Sequence, residues 1–274
     1  MTENHNAQND YIEIGGIKWA TKCVGASSPY SYDAWLFQWG SLRGNKENTN
    51  SPTSRCYNWI NTPFNDDFRY CHRILWEGYK NHILQGNTLM SYYDAATKYM
   101  PESQHKGFHW RMPTEKELRI LAANKVTIKN AIVQGVDGVD IYIGSTPGVG
   151  IVKGNKTGGE IHGLCFKQPS TYNDKVLFLP CRGFAHDYTL YTSFIALWSS
   201  TCAIDSLDGK AYCLSASFIG GIPTVDVNSR CFGNCILGVL DNNDMSVNGE
   251  DKTYEKFIKD IKEFNYIPFM AKLH

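Results

Sequence analysis

Residue pairs with the spacing of a metal or redox site are few in this chain of 274 residues. His105 and His109 stand four positions apart, which would place both imidazoles on one face of a helix, but Gly107 between them favours a loop. Cys231 and Cys235 are the closest of the nine cysteines, and no Cys-x-x-Cys pair occurs. The sequence therefore predicts no metal site and no cofactor, and most of the cysteines are interpreted as free thiols.

The charge pattern excludes several classes of partner. Lys and Arg together number 27, as do Asp and Glu, and no basic run interrupts this balance, so we expect no nucleic-acid binding. No window approaches the roughly 18 apolar residues that a membrane-spanning helix requires, so we expect no membrane insertion. The first ten residues are polar, form a predicted disordered leader and show no signal peptide. The acidic loop 241–244 can ligate a cation, although Asp and Asn clusters are more often turns.

Local patterns predict the elements that would position a site. Residues 11–20 alternate around Gly15-Gly16 and indicate a β-hairpin, and 126–163 is β-branched, glycine-rich hairpin sequence. Thr114 and Glu117 form the capping box of a helix that continues through Leu118 and Leu121. A second helical stretch lies near 92–99, and an apolar stripe over 254–264 predicts a docked C-terminal helix. Four further short strands are predicted, at 176–180, 197–201, 211–215 and 235–240.

Six short motifs follow one another along the chain, at Gly16–Gly25, Trp110–Thr114, Leu177–Pro180, Arg182–Phe184, Leu197–Thr201 and Ala211–Tyr212. In these motifs and their order the chain resembles the bacterial major-paralogous-domain group of the C-type-lectin-like superfamily, on the branch shared with formylglycine-generating enzymes. The resemblance implies an α+β, C-type-lectin-like fold of small mixed sheets, two helices and long loops. It also implies one domain over 11–243 with an insertion at 41–107 and a recognition segment at 181–243, followed by a C-terminal docking helix and tail over 244–274.

Enzymes of the same superfamily offer an alternative function. Formylglycine-generating enzymes bind copper through a cysteine pair, but the spacing and surroundings of Cys231 and Cys235 do not match. The calcium-dependent sugar motifs of animal C-type lectins are also missing. We therefore expect a binding protein and not an enzyme, either an adhesin or receptor-binding protein on a phage tail or bacterial surface, or a structural surface protein. Its expected partner is a protein or glycan on a cell surface, and homo-oligomerisation stays open.

The composition of residues 181–244 differs from that of the preceding chain. Lys, Glu, Gln and Met together occupy 31 of the first 180 positions but only one of the 64 positions in 181–244. The same 64 positions contain five cysteines. Strands and turns are depleted in Lys and Glu, which explains part of the difference. Some relatives of this fold are targets of diversity-generating retroelements, and randomised AAY codons cannot encode these four residue types. The resemblance therefore implies a diversified variable protein.

Two loops, about 202–207 and 217–235, are the predicted recognition surface. Phe218, Ile219, Ile222, Val225 and Phe232 are too many apolar residues for all to be core, so some are expected to be exposed. We expect a polar rim around them, formed by Asp205, Asp226, Asn228, Arg230 and Asn234. The candidate ligand-binding residues are Tyr188, Tyr191, Cys202, Ile204, Asp205, Ser206, Phe218, Ile219, Ile222, Thr224, Asp226, Asn228, Arg230, Cys231, Phe232 and Asn234.

Overall fold

The structure of the protein is a computed structural model that describes residues 11–42, 44, 84–100, 108–154, 158–167, 175–186, 189–203 and 210–241. All of these belong to one compact unit, 1–242. The predicted leader, most of the predicted insertion and the predicted C-terminal helix with its tail lie outside the described residues.

The prediction of an α+β fold with mixed sheets is wrong. The chain is mostly β, and its described residues form a β-rich sandwich of four sheets in which every strand ladder is antiparallel. The two described α-helices are short, Ala95–Tyr99 (α1) and Glu115–Ala123 (α2). Along much of the chain, strands that are consecutive in sequence are also neighbours in a sheet, which is the pattern of antiparallel hairpins.

A four-stranded sheet joins the beginning and end of the described chain. It has the order β1-β2-β16-β5, with β1 Tyr11–Ile14, β2 Ile17–Cys23, β5 His109–Arg111 and β16 Leu237–Asp241. The predicted hairpin is confirmed: Gly15 and Gly16 turn the chain with φ of 63° and 75°, conformations that favour glycine. Trp19 of β2 is fully buried and lies opposite Val239 of β16.

The glycine-rich stretch forms a five-stranded antiparallel sheet. Its strands run in sequence order, β6 Ala131–Gln134, β7 Asp140–Ile143, β8 Val149–Val152, β9 Ile161–Phe166 and β10 Leu177–Pro180. The hairpin prediction for 126–163 is thus confirmed, as is the buried strand that follows. Phe178 and Ile141 belong to a core cluster on one side of this sheet, whereas Leu164 and Leu179 join the main core.

Helix α2 begins where the sequence predicts. Thr114 accepts a hydrogen bond from the backbone N–H of Glu117, and Glu117 accepts one from the N–H of Thr114, so the capping box is present. Leu118 and Leu121 are fully buried in the main core. In the stretch predicted as helical near 92–99, a 3₁₀ turn at Ser91–Tyr93 precedes α1, whose first N–H groups bond to the Asp94 carboxylate.

The last third of the described chain is built mainly of strands. A five-stranded sheet has the order β15-β14-β13-β4-β3, with β3 Leu84–Gln85, β4 Thr88–Leu89, β13 Phe194–Cys202, β14 Lys210–Ser217 and β15 Thr224–Ser229. A separate hairpin pairs β11 Phe184–His186 with β12 Thr189–Tyr191. The prediction of one long loop over 217–235 is wrong, because β15 occupies its middle and pairs with β14.

No helix in the described ranges is long and apolar enough to cross a bilayer. Five of the nine cysteines are free thiols, which confirms the interpretation of most cysteines as free; they are Cys23, Cys165, Cys181, Cys213 and Cys235.

Candidate functional site

The β14–β15 turn, residues 218–223, carries the most exposed apolar side chains among the described residues. Ile219 is 81% exposed and Ile222 is 70% exposed. The expectation that some of the apolar residues in this segment face solvent is therefore confirmed. Burying an Ile side chain is worth about 1.5–3 kcal/mol, so side chains this exposed add little to folding and are available to a partner.

Backbone contacts hold the turn in place. Phe218 N–H donates to the carbonyl of Ser193 at 2.8 Å, and Gly221 N–H donates to that of Ser217 at 2.8 Å. The Lys125 ammonium donates to the carbonyl of Gly221. Gly221 has φ of 60°, and a Cβ there would lie 2.8 Å from Thr146 Cγ2, so only glycine fits against the neighbouring sheet. The two isoleucines are thus displayed on a fixed backbone.

An aromatic stack lies on the β11–β12 hairpin. Phe184 and Tyr191 face each other across the two strands with ring centroids 4.9 Å apart and planes 12° apart. Phe232 stacks against Phe184 at 5.8 Å, and His186 lies 4.2 Å from Phe232. Tyr191 is 41% exposed, so one end of the stack is open to solvent. Stacked rings give rigid contact area at low entropic cost, which suits a binding surface.

A cleft of about 630 Å³ borders both features. Its polar walls come from Tyr32, Asp33, His162, Arg182, Thr192 and Ser193, and its apolar walls include Leu190 and Phe218. The volume lies within the usual range for small-molecule sites. Phe218 belongs to the cleft and to the β14–β15 turn, and Leu190 and Thr192 flank the stacked Tyr191, so the three features form one continuous surface.

Hydrogen bonds fix the cleft wall made by Tyr32 and His162. The Tyr32 hydroxyl accepts from the backbone N–H of His162 at 2.6 Å and donates to its carbonyl at 3.3 Å. Burial raises the pKa of Tyr32, which keeps this hydroxyl protonated. The His162 ring meets Phe218 edge to face at 4.6 Å. The wall is therefore rigid before any ligand arrives.

Asp33 supplies a negative charge at the same cleft. Burial alone would raise the pKa of Asp33, but hydrogen bonds from Ser27 and Ser31 outweigh it and lower that pKa. The Ser27 N–H donates to Oδ1 of Asp33 at 3.0 Å. Asp33 is therefore an ionised acceptor near neutral pH.

The structure divides the predicted ligand-binding residues into three groups. Tyr191, Ile219, Ile222, Thr224 and Asp226 are exposed, whereas Phe218, Asn228 and Phe232 are half-buried. Buried residues are Cys202, Arg230, Cys231 and Asn234. The remaining four, Tyr188, Ile204, Asp205 and Ser206, lie outside the described residues.

The predicted polar rim is wrong at Arg230 and Asn234, which are 1% and 0% exposed. The backbone of Asn234 exchanges hydrogen bonds with Phe37 at 2.9 and 3.0 Å. The carbonyl of Arg230 accepts from the N–H of Trp39 at 3.0 Å, and its guanidinium lies 5.8 Å from the Trp39 ring. Residues 37–39, for which no element was predicted, therefore contact the chain at both positions.

Sequence reasoning missed the residues of the cleft. Tyr32 and Asp33 lie in a stretch without a strong local pattern, and His162 lies in the glycine-rich stretch, where the pattern predicts hairpins only. Arg182 and Gly183 stand within one of the six motifs, which was a usable signal. Gly183 has φ of 89°, and a Cβ there would lie 2.2 Å from the Tyr191 carbonyl oxygen, so the Arg-Gly pair marks a close backbone approach beside the cleft.

Within the described part of the chain, no three His, Cys, Asp or Glu side chains come together as a metal site would require. Comparisons with protein-family models, with curated proteins and with solved structures gave no match.

Proposed function

We propose that the protein is a ligand-binding protein of the adhesin or receptor-binding type. Its recognition surface comprises the β14–β15 turn, the aromatic stack and the cleft between them, on a β-rich scaffold whose motifs resemble the C-type-lectin-like superfamily. The observation that carries the proposal is the display of Ile219 and Ile222, 81% and 70% exposed, on a turn held by backbone hydrogen bonds. Exposed apolar side chains on a rigid support are typical of protein-binding sites.

The surroundings of the two isoleucines support an interface. Tyr191 offers an aromatic ring, and Thr224 and Asp226 on the solvent side of β15 supply exposed polar groups. An apolar centre with a polar rim is the usual anatomy of a protein interface. The expected partner is a protein or glycan on a cell surface.

The test replaces Ile219 and Ile222 together with serine. Because both side chains are mostly exposed, the free energy of unfolding should change by less than about 1 kcal/mol. Burial of both by a partner would contribute roughly 2–5 kcal/mol, so binding should weaken by at least about tenfold. Binding of the fluorescently labelled protein to a panel of intact bacteria, followed by flow cytometry, provides the readout.

Ile132→Ser is the matched control, since Ile132 is 61% exposed on β6, in a different sheet. We expect the wild type and Ile132→Ser to label the same cells, and the variant with serine at 219 and 222 to lose that labelling. Equal labelling by all three proteins would exclude the β14–β15 turn as a recognition surface.

We also propose that this surface is diversified genetically. More than half of the described residues in 181–241 are buried, and burial disfavours Lys, Glu and Gln there. A diversifying process must therefore act at the exposed positions to be compatible with folding. Sequencing of the neighbouring DNA should find a reverse-transcriptase gene and a near-repeat of this segment whose differences fall at positions such as Ile219, Ile222, Thr224 and Asp226. A neighbourhood without either would refute the genetic proposal and leave the binding proposal intact.

A further inference from the structure

Arg182 is a largely buried cation whose two Nη atoms have no hydrogen-bond partner among the described residues. The residue is 6% exposed and follows β10 at the wall of the cleft. Its Nε donates to the carbonyl of Ala34 at 3.0 Å. No described residue accepts a hydrogen bond from either Nη atom, and no described carboxylate forms an ion pair with the guanidinium. The guanidinium lines the cleft without an ion-pair partner among the described residues, and an anion that enters the cleft would supply one.

A second polar atom at the same cleft also lacks a partner. Nδ1 of His162 is buried and makes no hydrogen bond with any described residue. Nε2 of the same ring lies 3.8 Å from Glu160 Oε2, and the ring edge meets Phe218. Nδ1 is shielded from solvent, so the Nη atoms of Arg182 are the unpartnered donors that a ligand in the cleft would meet.

The charge balance of the cleft selects the kind of anion. Arg182 is the one described cationic side chain in its wall, and the ionised Asp33 lies in the same wall. A phosphate dianion would be repelled by Asp33 and would exceed the single positive charge. A carboxylate matches a guanidinium in charge and in bidentate geometry. Asp33 then needs a ligand group that donates hydrogen bonds, such as a hydroxyl.

The remaining walls indicate what carries the carboxylate. Ser193 and Thr192 are exposed hydroxyls that donate and accept, and Phe218 with Leu190 gives an apolar surface for C–H groups. The cleft of about 630 Å³ accommodates one sugar ring, whereas a second cavity beside Arg182 of about 10 Å³ holds no more than water. An acidic sugar combines these features, because it carries a carboxylate, several hydroxyls and an apolar ring face.

We infer that the cleft binds a carboxylate-bearing sugar residue of a glycan, with the Arg182 guanidinium pairing with the carboxylate and Asp33 accepting from sugar hydroxyls. This inference rests on the proposed recognition function and names the chemistry of its ligand. The cleft and the exposed isoleucines would then contact the same cell-surface partner through different groups.

The test measures binding of D-galacturonate, D-glucuronate and N-acetylneuraminate to the full chain by isothermal titration calorimetry and saturation-transfer NMR. Neutral D-galactose, acetate and inorganic phosphate serve as comparison probes. A hydrogen bond to a charged group contributes roughly 1.5–3 kcal/mol, so at least one acidic sugar should bind about tenfold or more tightly than galactose. Added salt should weaken that binding.

Arg182→Met should reduce acidic-sugar binding by about tenfold or more, whereas the matched control Arg119→Met, on the exposed surface of α2, should leave it unchanged. If Arg182→Met fails to fold, Thr192→Trp provides the second variant. Thr192 is exposed, so an indole there fills the mouth of the cleft without disturbing the core and should abolish binding.

Four outcomes would overturn the inference: no binding of any acidic sugar, equal binding of galactose, equal binding of acetate, or preferential binding of phosphate. Retention of full affinity in folded Arg182→Met or Thr192→Trp would also overturn it. None of these results bears on cell labelling by the Ile219 and Ile222 variant, so failure of this inference and failure of the proposed function are separable.

Discussion

The ion-pair network of Arg111 ties α2 to the four-stranded sheet. The Arg111 guanidinium forms a bidentate pair with Glu117: Nη2 donates to Oε1 and Nη1 donates to Oε2, both at 2.8 Å. Nε of Arg111 donates to Oδ2 of Asp241 at 2.7 Å. Glu117 also accepts from the backbone N–H of Thr114 at 2.7 Å. A single carboxylate thus completes a helix cap and a bidentate ion pair, so the network offers a quantitative test of how the scaffold is stabilised.

The perturbation is Glu117→Gln, which keeps the size of the side chain and removes its charge. Exposed ion pairs couple by about 0.2–1 kcal/mol, whereas breaking a buried pair costs about 3–5 kcal/mol. The Arg111 and Glu117 side chains are 28% and 17% exposed, which lies between these limits. A double-mutant cycle with Arg111→Met should therefore give a coupling free energy of about 1–2 kcal/mol at pH 7.

The pH dependence has a defined sign. Burial alone would raise the pKa of Glu117, but the hydrogen bonds and charge of Arg111 outweigh it and lower that pKa below 4.5. The stabilisation is therefore complete above about pH 4.5 and is lost as the pH falls through the lowered pKa. The difference in the free energy of unfolding between the wild type and Glu117→Gln should shrink over that range.

Urea denaturation followed by circular dichroism at several pH values measures both quantities. The Glu115 and Arg119 pair on the same helix is the internal control: the Arg119 side chain is 54% exposed and the pair has i,i+4 spacing, so the expected coupling is about 0.3–0.5 kcal/mol. A coupling for Arg111 and Glu117 no larger than that of the control pair, or a difference that stays constant with pH, would refute the reasoning.

Two further predictions concern the scaffold. Gly183→Ala should lower the free energy of unfolding by more than about 2 kcal/mol, because φ is 89° and the added Cβ meets the Tyr191 carbonyl. The control Gly86→Ala, where φ is 66° and no atom lies close to the added Cβ, should lower it by about 1 kcal/mol. Equal losses for the two variants in urea denaturation would contradict this prediction. Burial raises the pKa of Asp94 from 3.8 to about 6, so its contribution to stability is complete below about pH 4 and is lost as the pH rises through about 6. Asp94→Asn should remove that slope from the stability profile, and an unchanged slope would show that another group titrates.

Elements with local signals were predictable from the sequence. The hairpin at Gly15-Gly16 follows from glycine at positive φ, and the start of α2 follows from the Thr114 and Glu117 capping box. Strand β15 also had a readable signal, since Val225 and Val227 alternate with polar residues, but the glycines and proline before it favoured a loop. The proportion of helix to strand over the whole chain is not encoded in any local pattern, and the predicted α+β fold class was wrong.

The candidate site was predictable only where exposure follows from the sequence itself. Five apolar residues between 218 and 232 were too many for all to be core, and two of them, Ile219 and Ile222, are exposed. The burial of Arg230 and Asn234 depends on Phe37 and Trp39, nearly two hundred positions away. The cleft likewise joins four distant segments, around 32, 162, 182–193 and 218, and no local pattern encodes such a meeting.

The position of β16 has a consequence for the order in which the protein folds. This strand is the last described one, yet it lies inside its sheet, between β2 near the start of the chain and β5. During synthesis more than two hundred residues must be added after β2 before its second neighbour, β16, is made, and such long-range pairing slows folding. A polypeptide that stops before Leu237 would leave the fully buried Trp19 without Val239 and expose the edges of β2 and β5. We expect prematurely terminated chains to be prone to aggregation, so that only those translated through β16 present the recognition surface.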